Sequence, residues 1–310
     1  MPDHDEVSLA SAQPEGFDRL LRGAIDVHVH GRPDISPGLP NRGSDFEVAR
    51  LAHAYGMAGW VLKSHLWTTT DRARAVQDAM AGTGFQIHGS ITLNPPAGGL
   101  EPAVVELAAA HGARVVFLPT WGSAADVGRG GYISTLLSRT APSFERYATR
   151  NAITLLENGT LSGRARAVID ACRGLGLALA TGHASIDESR AVAAYCAGIG
   201  QHLLITHPLH YTTDPTVLHE FVDMGAYLEF CNAPLVHPDA HLTIRDVSEA
   251  LTAVGPERAI LTTDVFSRWV PPEPECLRMF LEQLAYLGWS DEQIATMVST
   301  NPRTFLGVPA

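Results

Sequence analysis

The sequence predicts an α/β chain folded as a (β/α)8 TIM barrel with an insertion after its fourth strand. Three observations predict it. A short apolar run, a polar loop and an amphipathic helix recur eight times. Several of the helices stop at a glycine, at Gly56, Gly112, Gly200, Gly225 and Gly255. About 250 residues remain once a lead-in (1–22) and an aperiodic segment (121–160) are set aside, the usual size of such a barrel. The rival is an open doubly wound sheet, which predicts a glycine-rich phosphate turn after the first strand. The segment GRPDISPG has no G-x-G-x-x-G.

The first unit pairs the run GAIDVHVH (23–30) with the helix DFEVARLAHAYG (45–56). The second joins AGWVLKSH (58–65) to TTTDRARAVQDAM (68–80), and the third FQIHGSITLN (85–94) to EPAVVELAAAHG (101–112). The fourth run, ARVVFLPT (113–120), leads into segment 121–160 and then the helix GRARAVIDACRGLG (163–176). LALATGHA (177–184), QHLLITHP (201–208), AYLEFCNAP (226–234) and RAILTTDVF (258–266) are the last four strands. Their helices are 186–200, 214–225, 243–255 and 276–289, followed by a final helix at 291–300. Residues 1–22 are read as a tail and lead-in, and 23–310 as one barrel domain.

Composition narrows the function. Lys plus Arg is 22 and Asp plus Glu is 33, for a formal net charge of −11. That balance disfavours a phosphate backbone and an anionic membrane as partners. A hydrophobic share of 45% is that of a globular chain, and no apolar run reaches the roughly 18 residues a membrane span needs. Cys172, Cys196, Cys231 and Cys276 form no Cys-x-x-Cys pair and read as reduced, buried thiols, so the expected location is the cytoplasm.

The chemistry lies in where the 14 histidines fall. Active residues of a barrel project from the C-terminal ends of its strands. In the first run Asp26, His28 and His30 share one parity and Ile25, Val27 and Val29 the other, which aims the histidines inward and the apolar row at the helices. Lys63 and His65 end the second strand, His183 the fifth, His207 the sixth and Asp264 the eighth. Imidazoles with a carboxylate suit Zn2+, Mn2+ or Fe2+. His53, His111, His202, His219 and His241 fall in or beside helices or before strands, His88 lies below the site, and His237 is in a loop. Glu229, if inward, needs a partner such as Lys63 or a ligand histidine.

DVHVH, His183, His207, Asp264 and the closing NPRTFLGV (301–308) resemble the amidohydrolase superfamily of metal-dependent hydrolases, over about residues 23 to 308. VLKSH, ATGHAS, ITHP and GAYLEF resemble a poorly characterised branch of it. The resemblance implies that His28 and His30 bind one divalent metal, most simply Zn2+, and His183 and His207 a second where two are present. Asp264 would bind metal and shuttle a proton. The substrate would be a small molecule with an amide, cyclic amide or ester bond. The fourth strand ends in LPTW, without the bridging Lys or Glu of many two-metal members. Lys63 is the substitute. It points away, or is neutral, or is carboxylated to an anionic carbamate that bridges metals. A metal-dependent non-oxidative decarboxylase, needing one metal and no bridge, is the alternative.

Further expectations concern the barrel mouth. His65 and His210 would hydrogen-bond a substrate oxygen. Trp121, Arg129 and Tyr132 in the segment 121–160 would form a lid, Arg268 and Trp269 would line the other side, and Arg32 would meet a substrate carboxylate. A homo-oligomer is compatible with a barrel of this type.

Overall fold

A computed structural model describes residues 16–32, 34–35, 43–240, 242–267 and 269–309. Eight parallel strands form one sheet whose neighbours follow chain order. They are β1 (Ile25–His30), β2 (Gly59–Lys63), β3 (Gln86–Thr92), β4 (Ala113–Phe117), β5 (Ala178–Ala180), β6 (Leu203–Ile205), β7 (Tyr227–Cys231) and β8 (Ala259–Thr262). The barrel closes between β8 and β1 through side-chain and loop contacts. The Asp264 amide donates to the His28 carbonyl, and Thr263 donates through its amide and hydroxyl to the Asp26 carboxylate, at 3.2 and 2.6 Å. Strand followed by helix, repeated, is the (β/α)8 barrel.

Parity in β1 corrects the sequence reading. A bulge lies between Asp26 and Val29, where three steps on β1 match two on β2. One inserted residue flips the faces on either side of it. Ile25 and Val27 therefore pack with Val61, Val115, Ala178, Leu204, Tyr227 and Ile260, a cluster built from strands and the C-terminal helix, inside the barrel. His28 and His30 still face the site. Asp26 is not a partner of the His28 ring. It accepts from the His28 amide at 2.9 Å and from Thr263, at the seam. Burial pushes its carboxyl up to about 6, against the pull of those donors.

The opposite strand faces (Val29, Leu62, Ile91, Val116, Leu179, Ile205, Leu228, Leu261) meet the surrounding helices in one large apolar layer. The helices are α1 (Asp45–Ala54), α2 (Thr70–Ala79), α3 (Pro102–Ala110), α4 (Ala124–Gly128), α5 (Tyr132–Thr140), α6 (Phe144–Arg150), α7 (Gly163–Leu175), α8 (Ile186–Ile199), α9 (Pro215–Asp223), α10 (Ala233–Val236), α11 (Ile244–Val254), α12 (Glu273–Tyr286), α13 (Asp291–Ala295) and α14 (Asn301–Leu306). Ser185 starts α8 with a reciprocal capping box to Glu188, and Gly200 ends it in the left-handed conformation a side chain would resist. NPRTFL, the start of NPRTFLGV, is α14: Phe305 and Leu306 plug the barrel interior from its N-terminal end. The Asn301 amide group holds the Pro256 and Ala259 carbonyls, both at 2.7 Å.

Segment 121–160 contains α4, α5, α6 and a short hairpin (Leu156–Glu157 with Thr160–Leu161). Its helices are too short for a period to stand out. They carry a core of their own, Trp121, Ile133, Leu136, Leu137 and Ala148 with Ile35.

Candidate metal centre

The floor of the site is built by β1, β2, β7 and the loop after β8. The His28 and His30 Nε2 atoms each lie 2.9 Å from Asp264 Oδ1. Both rings are buried and tilted 44° to one another. Their other nitrogens are already committed: His28 Nδ1 contacts Glu229 Oε1 and His30 Nδ1 contacts Asp34 Oδ2, both at 2.8 Å. A carboxylate on Nδ1 takes a proton there and leaves the Nε2 lone pair pointing inward. Two lone pairs then face one carboxylate oxygen, an arrangement that needs a positive charge between them. Without an ion the charge is a proton. Burial pulls the His28 pKa down, but the Asp264 and Glu229 carboxylates outweigh it and hold it at about 9. A divalent cation fits the same donor set.

Glu229 is the hub of this floor. Its Oε1 also accepts from the Thr262 hydroxyl at 2.8 Å, and its Oε2 accepts from the His207 amide at 3.2 Å. Its inward register is thereby settled.

The second imidazole pair sits just past its strands, because the chain leaves the sheet early. β5 stops at Ala180 and β6 at Ile205. His207 and Asp264 take positive φ of 31° and 52°, a strained backbone for side-chain-bearing residues. The His183 and His207 rings stand edge to face, 5.1 Å apart. His183 Nδ1 contacts Asp126 Oδ1 at 3.0 Å, which leaves its Nε2 as an acceptor. His207 Nδ1 is buried with no hydrogen-bond partner, as a nitrogen reserved for a ligand would be.

Lys63 does not point away. Its Nζ lies 2.8 Å from His28 Nε2 and 5.1 Å from the Phe117 ring centre. Burial lowers its pKa, against the pull of Asp264 and Glu229.

His65 stacks on His30 at 4.4 Å and 10°, with its Nδ1 2.5 Å from the same Asp34 Oδ2. Near-parallel rings send their Nδ1–H bonds side by side onto one acceptor. Their lone pairs do not converge, so Asp34 is a shared acceptor that orients both rings. The neutral His65 ring keeps a lone pair at Nε2, so it accepts there.

Above the floor is a cavity of about 440 Å³. His65, His183, His207, Asp264, His210, Arg129, Tyr132 and Trp269 all line it. Arg32 and Trp121 do not. The Arg32 guanidinium is buried against the Glu273 carboxylate. Trp121 is fully buried and donates from Nε1 to the His65 carbonyl at 2.7 Å. Arg268 lies outside the described residues.

Sequence reasoning missed Asp34, Asp126, Tyr211, Phe266 and the position of His237. Asp34 had a weak signal, its place four residues after His30 in the same loop. Asp126 had none, since it comes from the aperiodic insertion. The Cys231 thiol is buried 3.9 Å from Asp264 Oδ2, and burial beside that carboxylate keeps it protonated.

Solved structures share the fold at low identity. An amidohydrolase from Pseudomonas aeruginosa is 13% identical, with a TM-score of 0.59 over 93% of this chain and 97% of that one. A variant of a PTE-like lactonase from Deinococcus radiodurans is 17% identical, with a TM-score of 0.56 over 93% and 97%. The organophosphorus hydrolase of the same organism is 17% identical, with a TM-score of 0.53 over 93% and 94%. These likenesses bear out the (β/α)8 barrel fold. A search of curated proteins found no sequence match. One family model matches residues 23–229, a stretch holding every histidine of the centre but not Asp264. The chain therefore belongs to the family described as a family of unknown function, DUF6282.

Proposed function

We propose that the chain is a metal-dependent hydrolase that cleaves an amide, cyclic amide or ester bond of a small molecule. One observation carries this reading: two imidazole nitrogens, each oriented by a carboxylate on its far side, converge on one Asp264 oxygen. The hydrolase names of the structural neighbours support it.

A divalent cation held by His28, His30 and Asp264, with a second at His183 and His207, would lower the pKa of a bound water toward about 7 and polarise a carbonyl. Zn2+ suits the nitrogen-rich donor set, and Mn2+ and Fe2+ are compatible with it. Asp264 Oδ1 faces the histidines, so Oδ2 is the atom to take the proton of the attacking water and return it to the leaving group. His65 Nε2 accepts from a water or from a leaving-group N–H. His210, Arg129, Tyr132 and Trp269 contact the substrate along the cavity wall. Lys63 is either a neutral amine or a carbamate. The carbamate would replace the bridge that the end of β4 lacks.

Metal per chain, measured by elemental analysis on protein purified without chelator and with bicarbonate, tests the reading together with turnover on esters, lactones and amides. About two equivalents, falling in Lys63→Ala, support a Lys63-bridged centre. About one equivalent, unchanged by that substitution, moves the reading to a single-metal enzyme. Release of CO2 from a carboxylic acid, with no hydrolysis, would favour the decarboxylase. A folded protein that binds no metal overturns the proposal.

A further inference from the structure

We infer that the cavity takes a small carboxylate with a flat apolar body, its anionic group held by Arg129 and its reacting bond over the His28–Asp264 floor. The inference deepens the hydrolase reading and rests on it for the placement of the reacting bond.

The charge pattern comes first. Among the described residues, Arg129 is the only Lys or Arg that lines the cavity. Its guanidinium lies over the Tyr211 ring, 4.5 Å from the centroid, so its orientation is set. Its ion pair is weak: Asp126 Oδ1 stands 3.5 Å away and already accepts from His183 at 3.0 Å. A guanidinium fixed by stacking but loosely paired keeps in-plane donors for a ligand, and its fork matches a carboxylate. A cationic ligand finds no equivalent partner. Asp264 Oδ1 and Asp126 Oδ1 are engaged by imidazoles, Asp126 Oδ2 has no partner but is packed against Gly131, and the Asp239 side chain is 92% exposed.

The rest of the wall is aromatic. Tyr132 and Trp269 are 43% and 47% exposed at the mouth, and Phe266 lines the wall deeper, edge-on to His30 and His65. Half-exposed large aromatics around a cavity are the surface a flat apolar body would cover. The His237 ring stands edge-on to both Tyr132 and Trp269, at 5.2 and 5.8 Å. Its Nδ1 accepts from the Asp239 amide at 3.1 Å, so the proton is on Nε2. That Nε2–H is buried and has no partner, a second donor available to a ligand oxygen.

Calorimetric titration of benzoate and of benzamide, its neutral isostere, tests the inference. Each is titrated into metal-loaded and chelator-treated wild type, Arg129→Gln, Arg129→Lys and Trp269→Ala. The chelator-treated arm removes any binding of the carboxylate to metal. Benzoate is expected to bind chelator-treated wild type at least about tenfold more tightly than benzamide, with the preference lost in Arg129→Gln and partly kept in Arg129→Lys. Trp269→Ala should weaken both ligands alike, by about fivefold. Equal affinity for the two ligands in wild type, a preference that survives in Arg129→Gln, or no binding of either ligand overturns it. The Lys variant, which keeps the charge, separates loss of the anion contact from misfolding. None of these readings needs turnover, so the hydrolase reading fails separately, by an inert ester, lactone and amide panel.

Discussion

His88 shows what burial does to a histidine that no carboxylate supports. It sits on β3 with its Nε2 buried and unpartnered. Burial, with a smaller push from the Arg114 charge, pulls its pKa from 6.5 to about 4. The unfolded chain therefore binds this proton more readily than the folded one. Stability from this group is whole above about 6.5 and falls as pH drops through the window to about 4. The loss is roughly 2–3 kcal/mol at the acid end. His88→Gln should flatten that part of the profile, read as the difference in urea midpoints between wild type and variant from pH 7 to pH 4. A parallel pair of profiles would refute it. His28 is the opposite case: fully buried, its pKa is nonetheless held up at about 9 by two carboxylates. Placement below or at the site was legible for both residues from strand position. The sign of each shift was not, because it depends on partners that are remote in the chain.

At the scale of elements, the insertion between β4 and α7 does more than cover the mouth. It supplies Asp126, from α4, to the His183 ring 57 residues later in the chain. Gly131 packs so closely on that carboxylate that a Cβ there would lie 2.0 Å from Asp126 Oδ2. The insertion is thus keyed to the second imidazole pair. Asp126→Asn can still contact His183, yet it removes the charge that holds the Nδ1 proton. Metal affinity at that pair should fall about 10- to 100-fold with the His28–His30 site kept. Metal titration of the chelator-treated variant would show one weakened class of sites. Unchanged binding would mean that Asp126 only packs the insertion. The remaining elements were largely legible, since 3.6-residue periodicity and terminal glycines are local signals. α12 starts at Glu273, earlier than the apolar period indicated, because Pro274 suits a first turn and Glu273 is buried against Arg32.

For the whole molecule, the barrel interior is divided between an apolar plug below and polar chemistry above. The Phe305 ring fills the lower part with Ile25, Val115 and Tyr227. Phe305→Ala should cost about 3–5 kcal/mol. Urea unfolding would measure it, and a loss under 1 kcal/mol would mean that the plug is not part of the cooperative core. Metal stoichiometry should not change, because the plug lies at the end of the barrel away from the centre.

By itself the sequence determined the barrel, the order of its eight strands and the set His28, His30, Lys63, His183, His207 and Asp264. Each of these follows from local periodicity and from strand-end position, which the chain carries in its own spacing. Only the tertiary structure decided that β1 bulges and reverses the parity of Ile25 and Val27. It also decided that Arg32 and Trp121 lie off the cavity lining, and that Glu229 meets the Nδ1 of His28, Asp34 that of His30 and His65, and Asp126 that of His183. Those outcomes depend on contacts between segments far apart in the chain, such as Glu229 with His28 and Arg32 with Glu273. No local pattern encodes which buried carboxylate meets which ring, because closure of the barrel brings them together.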